Sequence, residues 1–130
     1  QQNLEDQSET AKGEDWQDMR DRVPRIDVKQ GITDLPPEAI GVVTVDPPQG
    51  YYIQVFASSG PKTAQRVREK AIRVVSGMLT NPRDQVIITK RKEYYEVQIG
   101  VFDSHQRTIE ILEEVKGTFD DAFTLMYVRQ

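Results

Sequence analysis

Apolar and polar residues alternate along Tyr51-Tyr52-Ile53-Gln54-Val55-Phe56 and again along Tyr94-Tyr95-Glu96-Val97-Gln98-Ile99. Period two is the pattern of a strand with two unlike faces. Between these segments the period lengthens. Ser58-Ser59-Gly60-Pro61 combines small polar residues with a proline, which suits a helix start. Ala64, Val67, Ala71, Val74, Val75 and Met78 then recur at helical spacing, with Arg66, Arg68, Glu69, Lys70 and Arg73 on the opposite side. Asn81-Pro82 ends that helix. Gln85 to Lys90 predicts a second strand, and Arg91-Lys92-Glu93 a turn into the third. Asp103-Ser104 predicts a cap for a second helix from about His105 to Lys116. Its inward residues are Ile109, Leu112 and Val115, with Ile111 assisting, and Gly117 is its stop. Ala122 to Val128 is the last strand.

The order βαββαβ predicts an α+β, ferredoxin-like fold: a four-stranded antiparallel sheet with two helices on one face. Right-handed crossovers place the first and third strands centrally, the fourth beside the first and the second beside the third. Ile53, Val55, Tyr95, Val97 and Ile99 then face the helices. Tyr52, Gln54, Phe56, Tyr94, Glu96 and Gln98 fall on the other face, which is expected to stay open to water. The two halves, Tyr52-Ile53-Gln54-Val55 and Glu96-Val97-Gln98-Ile99, each lead to a capped helix. That pseudo-repeat is what the topology demands.

Residues 1–49 have a different character. They carry 11 acidic and 5 basic side chains, leaving 10 acidic and 12 basic in 50–130 out of 21 and 17 in all. Residues 1–13 hold little to bury and are expected to be disordered. Asp15 to Arg22 fits a short helix presenting Trp16 and Met19 for docking. Five prolines punctuate the rest. Ala39 to Val45 is an apolar, β-rich run, expected either as an extra edge strand or as an arm across the domain or a second copy. The organisation is therefore an acidic, Pro-containing linker or docking arm over 1–49 and a domain over 50–130.

Composition removes several chemistries. The chain has no cysteine, so disulfides, thiolate metal sites and thiol nucleophiles are out. No run approaches the ~20 apolar residues of a membrane span. The chain opens on Gln1, which fits removal of a leader or trimming. Glu93 and Glu96 fall on or near one strand with opposite orientation, Asp120-Asp121 at a loop–strand junction, and Glu113-Glu114 on the outer side of a helix. None occupies an apolar pocket that would raise its proton affinity. The single histidine, His105, has a cap position. No catalysis, metal or cofactor is expected. Lys90-Arg91-Lys92 reads as a solvated turn, not a polyanion site.

What remains is a binding face. Gln54 and Gln98 carry amides that both donate and accept, and Tyr52, Phe56 and Tyr94 carry flat rings. That suits a binding surface and not a catalytic centre. The same residue types also occur on sheets that bind nothing. RNA-recognition domains place aromatics on equivalent strands, but the basic, glycine-rich signature is missing here and Glu96 would repel phosphate. A dimeric, ligand-binding regulatory domain is a further alternative on this topology.

At Tyr52-Ile53-Gln54-Val55, Tyr95-Glu96-Val97-Gln98-Ile99-Gly100-Val101-Phe102 and Asp121-Ala122-Phe123-Thr124-Leu125, the chain resembles the SPOR (sporulation-related repeat) domain family. The resemblance spans about residues 50–130. It implies binding of bacterial cell-wall peptidoglycan at glycan strands stripped of stem peptides, through the open sheet face. On the matching positions, it implies glycan contacts at Gln54, at Tyr94 and at Leu125. Glu96 departs from a frequent arginine, Ala57 from a small hydroxyl residue and Val101 from a proline. The implied setting is periplasmic or cell-envelope, with glycan strands and other envelope or cell-division proteins as partners. The implied state is a monomer, or a dimer through the N-terminal arm.

Overall fold

The computed structural model describes residues 23–28 and 43–129. Their elements run β1 (Arg25–Asp27), β2 (Gly50–Ser58), α1 (Pro61–Val75), α2 (Pro82–Gln85), β3 (Val86–Arg91), β4 (Tyr94–Phe102), α3 (His105–Val115) and β5 (Phe123–Val128). This is a mixed α+β fold around a five-stranded sheet in the order β1-β5-β2-β4-β3. β2 and β4 are central, β5 lies beside β2 and β3 beside β4, as the crossover rule placed them. The sheet is not the four-stranded antiparallel one expected. β1 adds a fifth strand and pairs with β5 in parallel. An extra edge strand was one of the two expectations for 39–45, of which residues 39–42 lie outside the described residues, as do 1–13 and the Asp15–Arg22 helix with Trp16 and Met19. Three residues following Pro24 are too short a run to announce a strand.

Pro61 opens α1 behind Gly60, and the Ser104 side chain accepts from the Arg107 N–H to cap α3. Both helices pack on one side of the sheet. Their buried faces, Ala64, Ala71, Ile72 and Val75 from α1 and Ile111 and Val115 from α3, join Ile53, Val55, Tyr95, Val97 and Ile99 in the main core. In α3 the inward face is turned from the expected one: Thr108, Ile111 and Val115 are buried, whereas Ile109 is half-buried. The Thr108 hydroxyl takes the Ser104 carbonyl at 2.8 Å, so a polar residue enters the core satisfied. Past Pro82 the chain makes one helical turn, α2, where the sequence predicted only a stop.

Two irregularities in β2–β4 pairing decide which way side chains point. The register shifts between Gln54 and Phe56, so that Phe56 faces Val97 and Ala57 faces Glu96. A bulge of this kind reverses the alternation downstream of it. Phe56, expected beside Gln54, is therefore swung onto the helix-covered core. A second shift lies opposite Gly100 and Val101 on β4. At β3 two outward carbonyls are occupied. That of Val86 accepts from Arg68 Nε at 2.7 Å, and that of Ile88 from the Thr44 N–H at 2.7 Å.

Candidate functional site

The second face of the sheet carries Tyr52 and Gln54 from β2, Glu96 and Gln98 from β4, Ile87 and Thr89 from β3, and Leu125 and Tyr127 from β5, as the pairing registers require. It was expected to be bare and wet. It is not. Tyr52, Gln98 and Leu125 are fully buried, Glu96 is 4% exposed and Gln54 8%. The sheet curls, and its side chains close over one another. Tyr127 reaches from β5 to Thr89 on β3 at 3.2 Å between hydroxyls. The Gln98 amide donates to Gln54 Oε1 at 3.0 Å. Tyr52 meets Tyr127 edge-on with ring centroids 5.1 Å apart, and its hydroxyl donates to the Pro48 carbonyl at 2.7 Å. Beyond β1, Val28 is buried against Tyr52, Leu125 and Tyr127, with Ile26 and Ile87 at the margin. Polar side chains were assigned to water because nothing in an alternating pattern distinguishes a solvated amide from one paired across strands.

Burial pushes the Tyr52 phenol far above its ordinary value near 10, with Tyr127 adding to the rise and Arg129 opposing it. Burial likewise raises Tyr127, against hydrogen bonds to Thr89 and Gln98. The folded state thus holds both protons where the unfolded chain releases them. Stability from these groups is complete below about pH 10 and is lost as pH climbs above it. In a variant with Tyr51, Tyr94 and Tyr95 replaced by Phe, which leaves Tyr52 and Tyr127 as its two tyrosines, alkaline titration should show tyrosinate absorbance appearing together with loss of the far-ultraviolet signal, and replacing these two by Phe as well should move that loss to higher pH. Tyrosinate forming in the still-folded protein would contradict this.

The face is not covered at both ends. Where β5 and β4 begin and β2 and β3 end, Tyr94 is 46% and Phe123 41% exposed. The register puts both on this second face, since Phe123 pairs with Gln54 and Tyr94 with Arg91. They stand two strands and about four residues apart, a diagonal of roughly 16 Å at ~4.8 Å per strand and ~3.3 Å per residue. Ala57, exposed and small, lies between them on the same face. Of the expected site residues, then, Tyr94 is accessible. Gln54, Glu96 and Gln98 lie beneath, Tyr52 and Leu125 are core, and Phe56 is on the other side. Phe123 was missed, although it sits two residues before Leu125 on the same strand and so shares its face.

Arg91 completes the exposed end. Its guanidinium donates to Glu96 Oε2 at 2.9 Å, with the arginine side chain 35% and the glutamate side chain 6% exposed. Arg91 is thus not a solvated turn residue, and Glu96 is ion-paired, not a base. Glu96 Oε1 and Gln98 Oε1 have no hydrogen-bond partner among the described residues. Arg91→Met would strand the carboxylate. We expect a loss of about 2–3 kcal/mol, below the full cost of breaking a buried pair because Arg91 is partly solvated. Glu96→Met added to Arg91→Met should restore most of it, as read from urea midpoints.

Residues 47–124, which span the sheet's four long strands up to the start of β5 and all three described helices, match the family model of the SPOR domain. The chain belongs to the SPOR family. SPOR domains are peptidoglycan-binding, and peptidoglycan is accordingly the general ligand of this one. No curated protein and no solved structure shows a significant match. Among the described residues no helix is long and apolar enough to cross a membrane.

Proposed function

We propose that this SPOR domain binds glycan strands that lack stem peptides, without catalysis, along the diagonal Phe123–Ala57–Tyr94. The observation that carries the reading is the pair of exposed rings on one sheet face, with a small residue between them and an anchored arginine at one end. Sugar C–H faces stack on Phe123 and Tyr94. A strand without peptides presents free lactyl carboxylates, and Arg91, held from behind by one oxygen of Glu96, keeps its remaining donors for such an anion. In a peptide-bearing strand the same carboxyl is an amide, which offers no charge. Gln54, Gln98 and Glu96 act as supports that fix the surface from below. Leu125 and Tyr52 anchor the strands that carry it.

Single contacts of this kind are modest, about 1 kcal/mol per hydrogen bond, so retention on a polymer comes from repeated sites. The ligand's location places the domain in the periplasm or cell envelope, where division and other envelope proteins are its neighbours. Residues 1–49 serve as a linker or docking arm that adds β1 to the domain's edge. The test is sedimentation with insoluble sacculi, intact and after amidase removes the stem peptides. Retention on stripped sacculi well above intact ones is expected. Equal retention on both would overturn the peptide-free preference, and none on either would overturn the binding face.

A further inference from the structure

We propose that the cleft between α1 and the β3 margin docks this chain's own segment Glu14–Asp21, with Trp16 and Met19 as its apolar anchors. The proposal does not depend on the glycan reading, since none of the residues lining the cleft belongs to the Phe123–Ala57–Tyr94 diagonal.

The cleft holds about 720 Å³, the size of an ordinary ligand cleft (~300–1,000 Å³). Val43, Val86 and Ile87 contribute apolar lining. Lys62, Arg66, Arg68 and Arg83 set four cations there against Glu69 and Asp84. Both acids are already engaged. Arg83 holds Glu69 through bonds of 2.8 and 3.2 Å, and Asp84 accepts from the Asn81 amide at 2.6 Å. Arg68 is occupied by the carbonyls of Val86 and Arg83. Among the described residues Lys62 and Arg66 have no carboxylate in ion-pair range, and Arg66 reaches the Thr63 hydroxyl at a long 3.4 Å. Both are exposed and one helical turn apart on α1, where like charges repel. An anion shared between them would remove that repulsion.

Glu14–Asp21 has the matching chemistry. It carries four acidic side chains, Glu14, Asp15, Asp18 and Asp21, against Arg20 alone. Trp16 and Met19 are three apart, the spacing that puts two side chains on one side of a helical turn. They can fill the apolar lining while the flanking Asp15 and Asp18 meet Lys62 and Arg66. The tether is long enough. Arg25 is level with Met126, Met126 with Tyr51, and Tyr51 with Phe102. Val86 pairs with Ile99, three residues before Phe102, on the strand four places across the sheet from β1. At ~4.8 Å per strand and ~3.3 Å per residue the separation is roughly 22 Å. The nine residues from Trp16 to Arg25 extend to about 30 Å, which leaves room to round the margin of the sheet. A tethered partner acts at about millimolar effective concentration, so a contact of modest strength suffices to keep the cleft filled.

Trp16 is the chain's one tryptophan, so its fluorescence in the full chain reports on this segment. Docked against the apolar lining, it should emit to the blue of free indole and resist quenching by acrylamide. Lys62→Glu with Arg66→Glu should shift that emission to the red and raise the quenching constant severalfold. The far-ultraviolet signal should stay unchanged, because both positions are exposed. Adding Asp15→Lys and Asp18→Lys should bring the blue emission back, which a purely apolar contact would not do. Sodium chloride at about 1 M, where the Debye length is ~3 Å, should redden the unmodified chain in the same way, and this arm stands even if the charge-reversed variant fails to fold. Free-indole emission from the unmodified chain at low salt overturns the proposal, as does blue emission that neither substitution nor salt moves. Blue emission lost on dilution assigns the contact to a second copy and overturns docking within the chain.

Discussion

Tyr94→Ala combined with Phe123→Ala should leave the SPOR domain folded and abolish its retention on stripped sacculi. Both rings are more than 40% exposed, so neither substitution opens a cavity, and each should change stability by no more than about 0.5 kcal/mol. A ring stacked on a ligand contributes about 1–1.5 kcal/mol, which is about tenfold in affinity. The two positions are separated by roughly 16 Å on the sheet, so their effects should add. The pair together is expected to weaken binding about a hundredfold. Gln54→Ala is the instructive contrast. It strands the Gln98 donor in the interior and should cost about 1–3 kcal/mol of stability, so any binding defect follows the folded fraction. Isothermal titration with a soluble peptide-free glycan, run beside urea unfolding, separates the two outcomes. Wild-type affinity in the double variant would show that the diagonal is not the site.

Gly100→Ala should be strongly destabilising. A Cβ at Gly100 would stand 2.4 Å from Tyr52 Cδ2 and 2.8 Å from both Cε2 and Cγ. The ring has little room to retreat. Its hydroxyl is tied to Pro48 and its edge is set against Tyr127. Overpacking of this kind costs about 1–3 kcal/mol and more where the neighbour is held. At ~4–8 °C per kcal/mol for a domain of this size, thermal unfolding should move down by about 10–20 °C. Combining it with Tyr52→Ala removes the obstacle, so the double variant should be more stable than the sum of the two losses implies. A Tm within a degree or two of the parent would mean that the Tyr52 ring can shift freely.

Much of the sheet was legible because its strands alternate and its helices repeat at a different period. Ile53, Val55, Val97 and Ile99 could be assigned to the core from spacing alone, and the strand order followed from handedness. Phe56 could not be assigned. A bulge inserts one residue without leaving a mark in composition, and every side chain beyond it changes sides. Gln54, Glu96 and Gln98 were legible as facing away from the helices but not as buried. Their burial depends on partners supplied by other strands: Gln98 for Gln54, and Arg91 for Glu96. Arg91 itself was hidden in a basic trio whose other members stand in or beside the turn. Phe123 was available to the same alternation that marked Leu125, and was passed over because the family resemblance drew attention to the latter. β1 was invisible because Arg25-Ile26-Asp27 has only one apolar residue.

The stoppered carbonyls of Val86 and Ile88 matter once many copies of the domain crowd along one polymer. Strand margins with unfilled acceptors invite neighbouring molecules to zip together. Here Arg68 and Thr44 fill those acceptors from within the same chain. At these two positions, β3 is closed to strand pairing between copies that crowd side by side on a glycan.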